Sequence, residues 1–200
     1  MQKKKLGLVV GAVALVAAIG IGSTFAYLTD KTSTVTNTFT IGNVNFDDEY
    51  GLAESDVTVD EETGEYVDND GENTWTSDGE TYENLYAGET VYKDPTVTMD
   101  EDSLEAYVFA KVVYDSANYT INYTDAWEVV ESGDGYDIVM KKTTINAGES
   151  STIFDSVTVA TTVTAETELD NITVTAAAVQ ASGVTKTVAT QQATALLNAE

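Results

Sequence analysis

Glu105-Ala106-Tyr107-Val108-Phe109-Ala110-Lys111-Val112-Val113-Tyr114 decides the fold class. It is the most apolar run after residue 26, and β-branched and aromatic residues dominate it. Such a run reads as a central strand covered on both faces. Outward from it the pattern repeats. Thr90 to Met99 reads as a strand interrupted by Pro95, which predicts an edge position or a bend. Trp127 to Val130 and Tyr136 to Lys141 flank the turn signal Glu131-Ser132-Gly133-Asp134-Gly135, a hairpin. Ser151 to Val163 and Asn171 to Ala181 complete the set, the latter with Ile172, Val174, Ala176 and Ala178 on one face. Thr34 to Phe46 alternates as well: Val35, Asn37, Phe39 and Ile41 share a face until Gly42, where Val44 and Phe46 take over, the mark of a bulge or sharp bend. Ala189, Ala193, Leu196 and Leu197 suit a short amphipathic C-terminal helix. Short strands separated by turns, with no crossover helices, predict an all-β, jelly-roll-like antiparallel β-sandwich.

Charge narrows the partners. The 200 residues hold 34 Asp and Glu against 9 basic residues, all Lys, for a net charge of −25. Nucleic acid needs a cationic surface, and so does anionic lipid; both are excluded as partners of the body. Cys and His are both absent. Without imidazole there is no Ser-His-Asp triad, no Cys-His pair and no His-based zinc site. The chemistry left is that of carboxylates, hydroxyls and a few Lys, and an enzyme is not expected.

Residues 1–26 read as an export signal. Lys3, Lys4 and Lys5 form a positive n-region, Leu6 to Ile21 is apolar residues and Gly, and Thr24-Phe25-Ala26 puts small residues at the −3 and −1 positions of a cleavage site before Tyr27. An uncleaved anchor is the other reading, since the run approaches the roughly 20 residues of a span. Either way the remainder is exported, and membrane contact is confined to the signal segment. Loss of the three Lys would move the net charge from −25 to −28.

Residues 27–200 are expected to form one sandwich domain. Its acidic half, 47–105, carries 21 carboxylates and one base, Lys93. Within it, 47–83 reads as an acidic loop or insertion, irregular from Asp60 to Gly79, with a hairpin around Trp75.

Gly22-Ser23-Thr24-Phe25-Ala26-Tyr27-Leu28-Thr29-Asp30, followed by Asn37-Thr38-Phe39-Thr40-Ile41-Gly42, resembles the start of the TasA/camelysin (CalY) family of exported biofilm-matrix proteins. Ala87 to Thr98, Ala106 to Val112, Ala147 to Ser150 with Phe154 to Val159, and Ile172 to Ala181 continue the likeness in the family's order. Asp47 to Glu83 has no counterpart in it. The resemblance implies processing by a SipW-type signal peptidase and polymerisation into matrix fibres, with the chain itself or related matrix subunits as partner. The N-terminal segment, 27–46, would be a donor-type strand that completes a neighbour's sheet. Tyr27 to Thr36 is the candidate donor, and Tyr27, Leu28, Val35 and Phe39 are its polymerisation residues.

Other chemistry is weighed on the residues. Asp68-Asn69-Asp70-Gly71-Glu72-Asn73 resembles the first half of a calcium loop, with Asp68, Asp70 and Glu72 as ligands for Ca²⁺. The twelve-residue pattern is incomplete, because Gly79 stands where the last Glu belongs; a solvated acidic loop is the competing reading. Asp100-Glu101-Asp102 serves as a turn without metal. The family includes a member described as a metallopeptidase, but no His-Glu-x-x-His helix is present here. Carboxylate pairs suited to glycoside hydrolysis arise by chance among 34 acids, and none is marked out. Lys111, inside the most apolar strand, has two readings: an intramolecular isopeptide bond with an Asn, as in some surface adhesins, or the commoner fate of a margin Lys with its head in water. The expected function is a secreted matrix-fibre subunit or accessory protein whose assembly acid, salt or divalent cations promote. The rivals are a monomeric calcium-stabilised cell-surface adhesin or binding module, and a secreted hydrolase.

Overall fold

The computed structural model describes residues 29–31 as backbone, and residues 44–69 and 75–199 in full. The central run forms β8 (Ala106–Val113), inside a five-stranded antiparallel sheet. Its neighbours are β14 (Thr173–Gln180) on one side and β11 (Tyr136–Lys141) on the other. β10 (Trp127–Gly133) and β1 (Thr29–Lys31) close the two edges, giving the order β1-β14-β8-β11-β10. β10 and β11 meet at Asp134-Gly135, between the opposed residues Gly133 and Tyr136. Gly135 has φ 78°, a conformation that costs side-chain-bearing residues energy and Gly very little.

Alternation along these strands sends residues to two separate cores. Ala106, Val108, Ala110 and Val112 of β8, Val139 of β11, and Ala176 and Ala178 of β14 face the second sheet. Val174 and Ile172 pack on the same side, as their periodicity predicts. The intervening residues Phe109, Ile138, Met140, Ala177 and Val179 face α1 (Lys186–Leu197). The helix contributes Ala189, Ala193 and Leu197 to that core, while Leu196 is only half-buried. Thr185 caps its N-terminus by accepting from the Val188 amide at 3.3 Å. Lys186 pairs with Glu128 at 2.7 Å, and Lys111 donates to the Leu197 carbonyl at 3.2 Å. The helix is thus fastened to the sheet at both ends.

The second layer is built on one long ladder. β6 (Thr90–Tyr92) and β7 (Thr96–Thr98) run against β13 (Phe154–Val159) and β12 (Ser150–Thr152). The register is the same on both sides of the break: Thr158 faces Thr90, Ser156 faces Tyr92, Thr152 faces Thr96 and Ser150 faces Thr98. Between them Lys93 N donates to Asp155 O at 3.3 Å and Ile153 N to Pro95 O at 2.8 Å. Pro95 has no N–H to return to Ile153 O; Thr124 N supplies that bond at 3.1 Å. The interruption is therefore a missing donor that a third segment replaces. The edge position expected for Pro95 is not found, because β2 (Leu52–Ser55) pairs with the far side of β7. The ladder extends to β9 (Tyr119–Tyr123) beyond β13 and to β5 (Trp75–Thr76) beyond β2.

The acidic segment is more ordered than an irregular loop. β3 (Val57–Val59) and β4 (Tyr66–Asp68) form a hairpin, upstream of the one expected around Trp75, and Trp75 instead pairs with Ser55. The Asp60 carboxylate builds the hairpin's turn by accepting from the amides of Glu62 and Thr63 at 2.8 and 2.9 Å. The large core between the sheets takes Val44, Phe46, Met99, Ile153, Phe154 and Val157 from the second layer and its flanks, and Trp127 of β10 and Ile145 from the side of the first sheet. The all-β sandwich with one short C-terminal helix is the observed fold.

Candidate functional site

The outer edge of β14 is where the N-terminal segment meets the body. Thr29, Asp30 and Lys31 lie antiparallel to it, opposite Val179, Ala178 and Ala177. β8 covers the other edge of β14 through all eight of its residues. A strand flanked by a full ladder on one side can still accept a strand on the other, and three residues of β1 do so here. The pairing uses backbone donors and acceptors, so it demands little of the incoming sequence. Residues 32–43 connect β1 to Val44, whose side chain is in the core between the sheets. Thr24, Ala26, Tyr27, Leu28, Val35 and Phe39, the cleavage and polymerisation residues expected from the sequence, lie outside the described residues.

The expected calcium ligands are only partly in view. Asp68 ends β4, opposite Val57, and Asn69 N donates to Asp56 O at 3.0 Å. Asp70 and Glu72 lie outside the described residues. Among the described residues no group of three carboxylates converges to hold a metal ion. Asp100 makes the turn expected of it, accepting from Asp102 N at 2.7 Å through its carboxylate and from Ser103 N at 3.0 Å through its carbonyl.

A buried polar cluster, which sequence reasoning missed, joins β2 to the Pro95 break. Glu54 and Asp94 are each only 6% exposed. Lys93 pairs with Glu54 Oε2, while Glu80 N donates to Glu54 Oε1 at 2.9 Å. Asp94 accepts from Ser55 N at 2.9 Å, Ser55 Oγ at 2.8 Å and the Tyr92 hydroxyl at 2.9 Å. Burial and the carboxylates Glu54, Glu80 and Asp94 drive the Tyr82 hydroxyl's pKa upward; it donates to Tyr92 O at 2.8 Å. Burial and its bond to Asp94 push Tyr92 to about 12. Burial first, then Asp56 and Glu54, raises the carboxyl of Glu80. Every carboxylate oxygen of Glu54 and Asp94 already has a donor from this chain. Groups so saturated hold strands together. The signal available in the sequence was Lys93 itself, the single base among the 21 carboxylates of 47–105.

A second polar group gathers on Asp137, which accepts from the hydroxyls of Tyr114 and Tyr123 at 2.8 and 3.1 Å. Burial and Asp137 push Tyr114 to about 12. Lys111 is not the margin residue its commoner reading predicted. It stands in the central strand, half-buried, with its Nζ 4.7 Å from the centre of the Tyr136 ring.

No protein-family model matches the chain, and neither a curated protein nor a solved structure shows detectable similarity to it. Among the described residues no helix is long and apolar enough to cross a membrane.

Proposed function

We propose that this chain is a secreted structural subunit or accessory protein of extracellular biofilm-matrix fibres, assembling by addition of its N-terminal strand to a neighbour's sheet. The observation that carries the reading is the pairing of Thr29–Lys31 with the edge of β14. A short strand held by backbone bonds, separated by twelve residues of sequence from Val44, has the same partners on its own β14 and on that of another copy. The resemblance of Gly22 to Asp30 and of Asn37 to Gly42 to the TasA/camelysin start supports it, as does the apolar leader, whose removal by a SipW-type peptidase would release the strand. Two charges of opposite sign, Asp30 and Lys31, are carried by a segment joined to an otherwise strongly acidic body. Self-repulsion at the net charge of −28 left once Lys3, Lys4 and Lys5 are removed from the −25 of the full chain would hold subunits apart until salt or acid screens it.

The test is electron microscopy and sedimentation of the protein beginning at Tyr27, with and without residues 27–36. Fibres are expected from the longer form, more abundantly at high salt, and none from the shorter. A longer form that stays monomeric under every ionic condition, with a melting temperature raised by calcium, would replace the fibre reading by that of a cation-stabilised adhesin.

A further inference from the structure

Four side chains from three distant parts of the chain meet below the C-terminal end of α1. Lys111 of β8 donates from Nζ to Asn198 Oδ1 at 3.1 Å. Asn198, the helix C-cap, donates from Nδ2 to Glu131 Oε1 at 3.2 Å. The Tyr136 hydroxyl donates to the same Glu131 oxygen at 2.9 Å. We propose that Lys111 and Asn198 form an intramolecular isopeptide bond, with Glu131 as the proton-transferring carboxylate, so that the end of the helix becomes covalently tied to the central strand.

The sheet's register builds this arrangement. Glu131 lies opposite Ile138, Ile138 opposite Lys111, and Lys111 opposite Thr175, one row across β10, β11, β8 and β14. Directly opposed residues share a face, and Ile138 belongs to the core under α1. The row is in phase because β10 is bulged between Val129 and Glu131; the extra residue turns Glu131 toward the helix. Gly133 leaves room for the Tyr136 ring, since a Cβ there would come within 2.1 Å of Tyr136 Cε1. That ring sits beside the Lys111 ammonium, and Leu197, 1% exposed, precedes Asn198. The amine thus sits between an aromatic ring and the amide it would attack.

The chemistry balances without a co-reactant. With Oδ1 at 3.1 Å from Nζ, the amide carbon stands one C=O length, about 1.2 Å, behind that oxygen, within a small shift of an attack distance. The Lys111 ammonium gives up a proton to solvent, which frees the lone pair, while Glu131, bonded to Asn198 Nδ2, stands ready to pass protons to the leaving nitrogen. Nζ bonds to Asn198 Cγ, and the tetrahedral adduct collapses with cleavage of the Cγ–Nδ2 bond. Two protons in all leave Nζ by way of solvent and two reach Nδ2 through Glu131, and ammonium departs. One C–N bond is exchanged for another, and nothing is oxidised or reduced. The same geometry also describes an uncrosslinked lysine capping a helix end, so the product decides between them.

Intact-mass spectrometry of the purified protein, with proteolytic mapping, is the test. The expected main species is lighter by one ammonia than its own sequence requires, and a branched peptide joins the Lys111 and Asn198 segments. Lys111→Arg and Asn198→Ala should recover full mass. Glu131→Gln, matched in shape and checked for folding by circular dichroism, should slow the conversion by about a hundredfold. A wild-type protein that stays at full mass after prolonged incubation overturns the proposal. A deficit that persists in Lys111→Arg also overturns it, because Asn198 would then have closed on its own backbone as a succinimide.

Discussion

The two sides of the molecule are held by different forces. From β8 to α1 the chain relies on apolar volume: Phe109, Ile138, Met140, Ala177, Val179, Ala189, Ala193 and Leu197 are buried on one face of the first sheet, with no charged residue among them. From β2 to the Pro95 break, shorter strands are fastened by Glu54, Lys93, Asp94, Ser55 and Tyr92. The apolar side pays for a lost atom with a cavity, and its small residues leave few ways to refill one. The acidic side depends on every oxygen keeping its donor, so there a lost partner matters more than a lost volume.

Phe109→Ala should have the largest effect, a loss of about 3–5 kcal/mol in chemical denaturation, because a fully buried ring under α1 is removed. Lys93→Met should follow closely, costing about 3–5 kcal/mol at most, since it strands Glu54 as a buried unpaired carboxylate. The contrast sharpens with a double change: Lys93→Met with Glu54→Leu should recover much of the loss, whereas no second polar deletion will rescue Phe109→Ala. If the double variant is as unstable as Lys93→Met alone, the acidic side is held by packing after all. The smallest effect concerns pH. Burial raises the Glu80 carboxyl above its ordinary value, so its folded form favours the proton. Its contribution to stability is full below the ordinary carboxylate value and is lost as pH rises through the elevated one. Glu80→Gln should therefore raise the melting temperature at neutral pH and flatten its decline between the acid range and neutrality.

The same contrast explains what could be read from the sequence. A continuous apolar run announced β8, one-face alternation β14, and a turn signal the hairpin of β10 and β11, because burial and tight turns leave a pattern in residue type. It also placed Ala189, Ala193 and Leu197 on the helix face. β9 escaped notice: Tyr119, Ile121 and Tyr123 alternate, but the strand has only five residues, with polar Thr120 and Asn122 between them. The acidic strands escaped because what fixes them is not periodic. Asp47 and Asp60 fold the backbone through local turns, and Glu54 meets Lys93 across 39 positions of chain. The meeting of Lys111 with Asn198 spans 87 positions and required both the bulge in β10 and the docking of the helix. Residue types supplied the candidate lysine, and only the tertiary arrangement supplied its amide.

Pro95 has one more consequence. In the observed alignment of 90–98 with 150–158, the carbonyl that the imino nitrogen cannot serve is the one Thr124 reaches. Sliding one segment by two residues would keep each side chain on its face, so alternation alone would not resist it. The slide would put the donorless nitrogen against a different oxygen and leave Thr124 aimed at an occupied one. The ring works like the notch on a key: it lets misaligned copies of the same ladder be told from the right one before the two layers close.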